Sequence, residues 1–192
     1  AGEISSLLEK DICHTEGLLR SLCCILASDR FLINSQEIID NDSLQSLFSE
    51  ALPHKFIPNN SEKPVIQAYG YFLGYLEKYE GGYVVDPTRV IRNLLPRIFF
   101  DKEVLHIKEF LERLSNMIPI LDGGKYRIDI EKEMQRNGWQ FTNSSNDLSE
   151  SLSIALVRLE LLYEIKTKPE SDDVNQMSLK TPFGTTDVSE IS

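Results

Sequence analysis

A chain of 192 residues that is 41% hydrophobic and 26% charged has the make-up of a globular protein, not a disordered one. Its 30 acidic against 20 basic residues leave a formal charge of -10, which weakens general attraction to polyanions and confines any nucleic-acid contact to a local patch. The longest apolar runs, 18–26 and 154–163, are interrupted by Arg20 and Ser21 or by Arg158 and Glu160, short of the roughly 20 residues that a membrane span needs.

The chain opens on Ala1, as a trimmed or partial chain would, and "AGEISSLLEK" has neither the basic start nor the apolar centre of an export signal. Cys13, Cys23 and Cys24 are odd in number and form no C-x-x-C, so neither a disulfide framework nor a structural zinc site is expected. These features point to a reducing cytoplasm.

In "TEGLLRSLCCILASDRFLI" the residues Leu18, Leu22, Ile25 and Leu26 recur at helical spacing, which predicts a buried helix over about Glu16–Ser28 with Thr15 as its cap. Two short helices should follow, one capped by Ser35, the other by Asp42 or Ser43 and stopped by Pro53. Together they outline a first, wingless or degraded helix-turn-helix. "HKFIPNNSEKP" reads as a linker. "PVIQAYGYFLGYLEKYE" then resumes a helix, and the four-residue spacing of Gly70 and Gly74 predicts close packing on a neighbouring helix. Tyr83–Val85 should be extended, Asp86 with Pro87 should open a helix, and Pro96 should end or kink it. Asp101 is the expected cap of an amphipathic helix carrying Val104, Ile107, Phe110, Leu111 and Leu114.

Around Asp122, Gly123 and Gly124 the pattern changes. The alternation of Tyr126, Ile128 and Ile130 with Arg127 and Asp129 predicts a hairpin, followed by a helix from near Asp129 to Gly138. The last helix, capped at Asn146 or Asp147, should bury Leu148, Leu152, Ala155, Leu156 and Leu159. A two-stranded wing is expected after it, pairing "YEIKTK" with "VNQMSLK" across "PESDD". The fold class is therefore mainly α with short β hairpins (α+β): a helical N-terminal part followed by a winged-helix-like module. The expected divisions are 1–60, a central helical region 61–102, the winged-helix-like module 103–180 and a C-terminal tail 181–192.

Read as a groove reader, the last helix offers serines, Glu150 and a lone Arg158, whereas base recognition favours Arg, Lys, Asn and Gln. Its surplus apolar residues Ile154, Val157 and Leu161, with Tyr71 and Tyr75 of the middle helix, mark surfaces for a protein partner. Arg89, Arg92, Lys125, Arg127 and Arg158 are the candidates for contact with nucleic acid or an acidic partner; Arg97, Lys132 and Arg136 are further bases nearby. In the wing, Lys166 and Lys168 lie among Glu164, Glu170, Asp172 and Asp173, which favours a solvated role. Glu164 to Lys166 matches the E-x-K half of a metal-dependent nuclease site without a partner motif, and His14, His54 and His106 stand far apart. No catalytic residue, metal or cofactor is expected.

The stretches "GGYVVDPTRVIRNLLP", "IPILDGGKYRI" and "LSESLSIALVRLELLYEI" resemble winged-helix accessory proteins of bacterial defence or DNA-modification operons, in particular the DpdG-like component of the Dpd 7-deazaguanine-DNA system. The resemblance spans about Gly81 to Ser192. It implies a bacterial, intracellular adaptor without chemistry of its own, working beside an ATPase, helicase or nuclease through protein partners from the same operon. A DNA-binding regulator is one alternative. A subunit of a condensin-like SMC complex, which the chain resembles in its acidity, is another. No membrane association is expected, and self-association is left open.

Overall fold

The computed structural model describes residues 17–32, 38–53, 57–170, 172–181 and 184–192. Helix α1 (Gly17–Ser28) is buried at every position from Arg20 to Ala27. So wide a buried surface requires neighbours on more than one side. The chain leaves it at Asp29 with φ 50°, a left-handed conformation that an Asp tolerates better than a branched residue. In α2 (Asn41–Ala51) the cap is Asp40, which accepts from Ser43 N at 2.7 Å while Ser43 Oγ accepts from Asp40 N at 2.9 Å. The cap thus precedes the expected Asp42 or Ser43, and the helix stops before Pro53 as expected. Thr15 and Ser35 lie outside the described residues.

Helix α3 (Glu62–Leu73) begins at a reciprocal turn: Asn59 Oδ1 accepts from Ser61 N and Glu62 N, and Glu62 accepts from Asn59 N at 2.8 Å. It ends sooner than the sequence pattern indicates. Gly74, at φ 88°, turns the chain into a hairpin of β1 (Leu76–Tyr79) and β2 (Gly82–Val85), with Leu76 opposite Val85. Gly70 lies so close to Leu76 and Leu22 that a Cβ there would come within 3 Å of both. The close packing expected from the glycine pair therefore belongs to Gly70, and Gly74 serves the turn.

Asp86 Oδ1 accepts from Thr88 N at 3.0 Å and opens α4 (Thr88–Arg92). The break before α5 (Leu95–Ile98) falls at Asn93 and Leu94, so Pro96 sits in the first turn of the next helix, where its missing N–H has no helical partner to lose. Strand β3 (Leu105–His106) leads into α6 (Ile107–Met117), whose cap is His106. Asp101, the expected cap, instead receives Arg113 at 2.5 Å. Ile107, Phe110 and Leu114 are buried as expected, while Val104 precedes the helix and is exposed.

The largest local correction concerns residues 122–130. No hairpin forms there; α7 (Lys125–Arg136) runs through them, with Tyr126, Ile130 and Met134 buried at four-residue spacing. Gly123 supplies a positive φ of 75°, but in a tight connection between helices. Helix α8 (Glu150–Leu161) is capped by Ser149 in place of Asn146 or Asp147, and Leu148, Leu152, Ala155, Leu156 and Leu159 are all buried as expected.

The expected wing pairing is also corrected. Strand β4 (Thr167–Lys168) does not pair with β5 (Met177–Thr181). Instead β5 pairs with β6 (Gly184–Val188), and β7 (Glu190–Ile191) lies between β3 and β4, antiparallel to both. The stretch set apart above as a tail thus supplies two strands. The whole is a mainly helical α+β fold in which α1 packs on α2, α3 and α7, and α8 packs on α4 and β5. Its buried residues form a core cluster running from Leu22 to Ile191.

Candidate functional site

A polar cleft of about 370 Å³ lies between Asp122, α7, the loop 141–149 and Met177. Its polar groups hold the surrounding elements together. Asp122 accepts from Ser149 N and Ser149 Oγ, both at 2.7 Å, and Ser149 Oγ accepts in turn from Leu152 N at 3.2 Å, which closes the first turn of α8. Asp29 accepts from Ser151 N at 3.3 Å and from Asn143 Nδ2 at 3.2 Å. Lys180 reaches Asn143 at 2.5 Å and Asp147 at 3.1 Å. The bonds from Ser149 to Asp122, and those from Ser151 N to Asp29 and from Ser151 Oγ to the Leu26 carbonyl beside the cleft, fix the start of α8 against Asp122 and the end of α1. Among the described residues, no group of three or more His, Cys, Asp or Glu side chains is placed to hold a metal ion.

Burial pushes the Asp29 carboxyl up to about 6, although nearby Arg127 acts to lower it. Because the folded value exceeds the unfolded value near 3.9, the folded state binds this proton more tightly, and Asp29's contribution to stability falls as pH rises from about 4 to about 6. Asp29→Asn removes that fall. Relative to the parent, the variant is expected to gain on the order of 2 kcal/mol between pH 4.5 and 7, read from urea midpoints at each pH. A difference independent of pH would contradict it.

The basic candidates named from sequence separate into distinct environments. Arg89 pairs with Glu77 at 2.9 Å, donates to the Tyr71 carbonyl and lies over the Tyr71 ring at 4.9 Å. Arg92 pairs with Glu164, so the glutamate of the E-x-K triplet is engaged across the fold. Arg158 meets Asp86, whose exposure is 0%. Arg127, at 2%, is buried, with Nε on Glu131 and Nη2 3.9 Å from Asp122. Burial works against its charge, and the Asp122 and Glu131 carboxylates overcome that, holding its pKa above the ordinary value. Lys125 is exposed and has no ion pair among the described residues.

Apolar candidates divide in the same way. Ile154 and Tyr75 pack against the core, and burial drives the Tyr75 hydroxyl up to about 12. Val157 is half-buried. Tyr71 is exposed at its edge and tilts against Tyr83, 6.0 Å between centroids. Leu161 is 71% exposed, and it opens a run that the sequence reading did not extend: Leu162 and Tyr163 follow, the latter 96% exposed with φ 59°. On α3, Val65, Tyr69 and Phe72 form a second exposed stripe within Pro64–Leu76, a stretch that contains no charged residue.

His106 is the cap of α6: its Nδ1 accepts from Lys108 N at 3.2 Å and its Nε2 lies 2.9 Å from Asp173. His14, His54 and Cys13 lie outside the described residues. Cys23 and Cys24 are buried, and burial raises both thiols well above their ordinary value, so neither has thiolate character. No described helix is long and apolar enough to cross a membrane.

Helices with short antiparallel hairpins, with ion pairs inside and apolar side chains left outside, define this as an α+β protein. The profile of the DpdG-like family matches residues 5–173, and the chain belongs to that family. The match includes the N-terminal helices, which lie before the span on which the resemblance was read. No curated protein and no solved structure matches the chain.

Proposed function

We propose that this chain is a non-catalytic, winged-helix-like adaptor of a bacterial Dpd-type DNA-modification and defence assembly, acting inside the cell by holding a protein partner on Leu161, Leu162 and Tyr163. The observation that carries the reading is Tyr163. A bulky aromatic side chain is almost fully exposed on a left-handed backbone, a conformation that costs a non-glycine residue about 1–2 kcal/mol. Such a residue is unfavourable for the free fold, and aromatic anchors are the side chains that contribute most at protein interfaces. Family membership supports the assembly. The order of α6, α7 and α8, followed by a ladder that returns through β7, supports the winged-helix part.

Tyr163→Gly tests the reading, because glycine relieves the backbone while removing the ring. Stability is expected to stay level or to rise by up to about 1 kcal/mol, and capture of co-expressed proteins from the same operon to weaken at least about tenfold. A parent protein that captures none of those neighbours, or a variant that captures them equally well, would sink it.

A further inference from the structure

Helix α7 has a mixed sequence, "KYRIDIEKEMQR", which reads as nearly neutral until the fold sorts its charges. Glu131 turns to the buried Arg127 and Glu133 to the buried Arg20. Those two carboxylates are thereby neutralised by arginines facing the core. Lys125, Lys132 and Arg136 remain, separated by seven and four residues, which places them within about 40° of one another around the helix and on the side away from the buried Tyr126, Ile130 and Met134. All three are exposed, and none forms an ion pair with a described residue. Asp129 is the acid that shares this face, and it too has no ion pair there. On a chain of charge -10, this is a straight basic ridge about 16 Å long.

We infer that this ridge contacts the phosphate backbone of duplex DNA. Ile128, 39% exposed, is the large apolar side chain beside it, so the face lacks the apolar centre on which a protein interface is built. What it offers is charge in a line, and duplex DNA presents roughly one phosphate per 1.7 Å of its axis. Such contacts position a protein without reading sequence, in keeping with the absence of base-reading side chains at the start of α8. The inference concerns a different surface from Tyr163 and stands apart from the partner proposed there.

The test is fluorescence anisotropy of a labelled DNA duplex with the full chain. Three phosphate contacts predict affinity falling about 40-fold between about 50 and 200 mM salt. Lys125→Gln, Lys132→Gln and Arg136→Gln together should abolish most of that dependence and weaken binding at least about tenfold at the lower salt. Lys166→Gln with Lys168→Gln should leave both unchanged. Since the three ridge side chains are solvent-facing, an unaltered melting curve is expected; if the triple variant melts early, the single substitutions carry the test and each should weaken binding. Absence of binding at low salt, equal binding by the ridge variant, loss only in the Lys166 and Lys168 variant, or equal affinity for polyglutamate would each overturn the inference.

Discussion

Replacing Arg158 by alanine is expected to destabilise the fold by about 3 kcal/mol and to lower Tm by roughly 6–12 °C, read by denaturant and thermal unfolding. Asp86, at 0% exposure, sits where β2 passes into α4, and Arg158 reaches it from α8. Removing the guanidinium leaves the carboxylate dependent on Thr88 N and Thr88 Oγ1. The lower end of the usual range for breaking a buried pair applies, because the Arg158 side chain is 43% exposed and water partly screens the interaction. Adding Asp86→Asn to Arg158→Ala should recover much of the loss. If Arg158 served chiefly to touch phosphate, its removal would leave unfolding unchanged, so the same variant separates an internal role from the surface role that its sequence position invites.

Gly124→Ala should be as damaging, at about 3 kcal/mol, while Gly123→Ala costs about 1 kcal/mol. The two neighbours differ in cause. Gly123 has a positive φ and nothing within 4 Å of a hypothetical Cβ, so its cost is conformational. Gly124 has an ordinary φ of -68°, but a Cβ there would lie 2.3 Å from the Pro119 carbonyl oxygen. That carbonyl accepts from Arg127 N at 2.9 Å and cannot retreat without loosening the first turn of α7. Urea midpoints of the two variants should rank accordingly, and equal loss at both positions would show that the close approach is relieved at little cost.

The contrast at residues 122–130 also shows what local pattern can and cannot decide. Tyr126, Ile128 and Ile130 alternate as a strand would, but Tyr126 and Ile130 equally match a helix that continues to Met134, and the exposure of Ile128 decides between them. Helix α8 was legible because its core positions repeat at helical spacing over several turns. The β1 strand was not, because Leu76 follows a long aromatic helix and only the left-handed turn at Gly74 separates them. The wing pairing failed for a different reason: Thr167 faces Ile191, and no neighbouring residue records that choice. Among the contact candidates, Lys125 is an exposed base, whereas Arg127 is buried beside Asp122, a placement that the alternating pattern around it does not reveal. Tyr163 was passed over since a lone tyrosine at a helix end carries no signal until its backbone angle is known.

The place of β7 between β3 and β4 has a bearing on how the chain matures. Leu105 and Thr167 both meet Ile191, so two ladders wait for a segment that leaves the ribosome after everything it joins. During synthesis, β3 and β4 present unpaired strand edges, the kind of surface that recruits chaperones or strays into neighbouring chains. Contacts this distant along the chain are slow to close, so the helices can assemble around α1 while the sheet is still open.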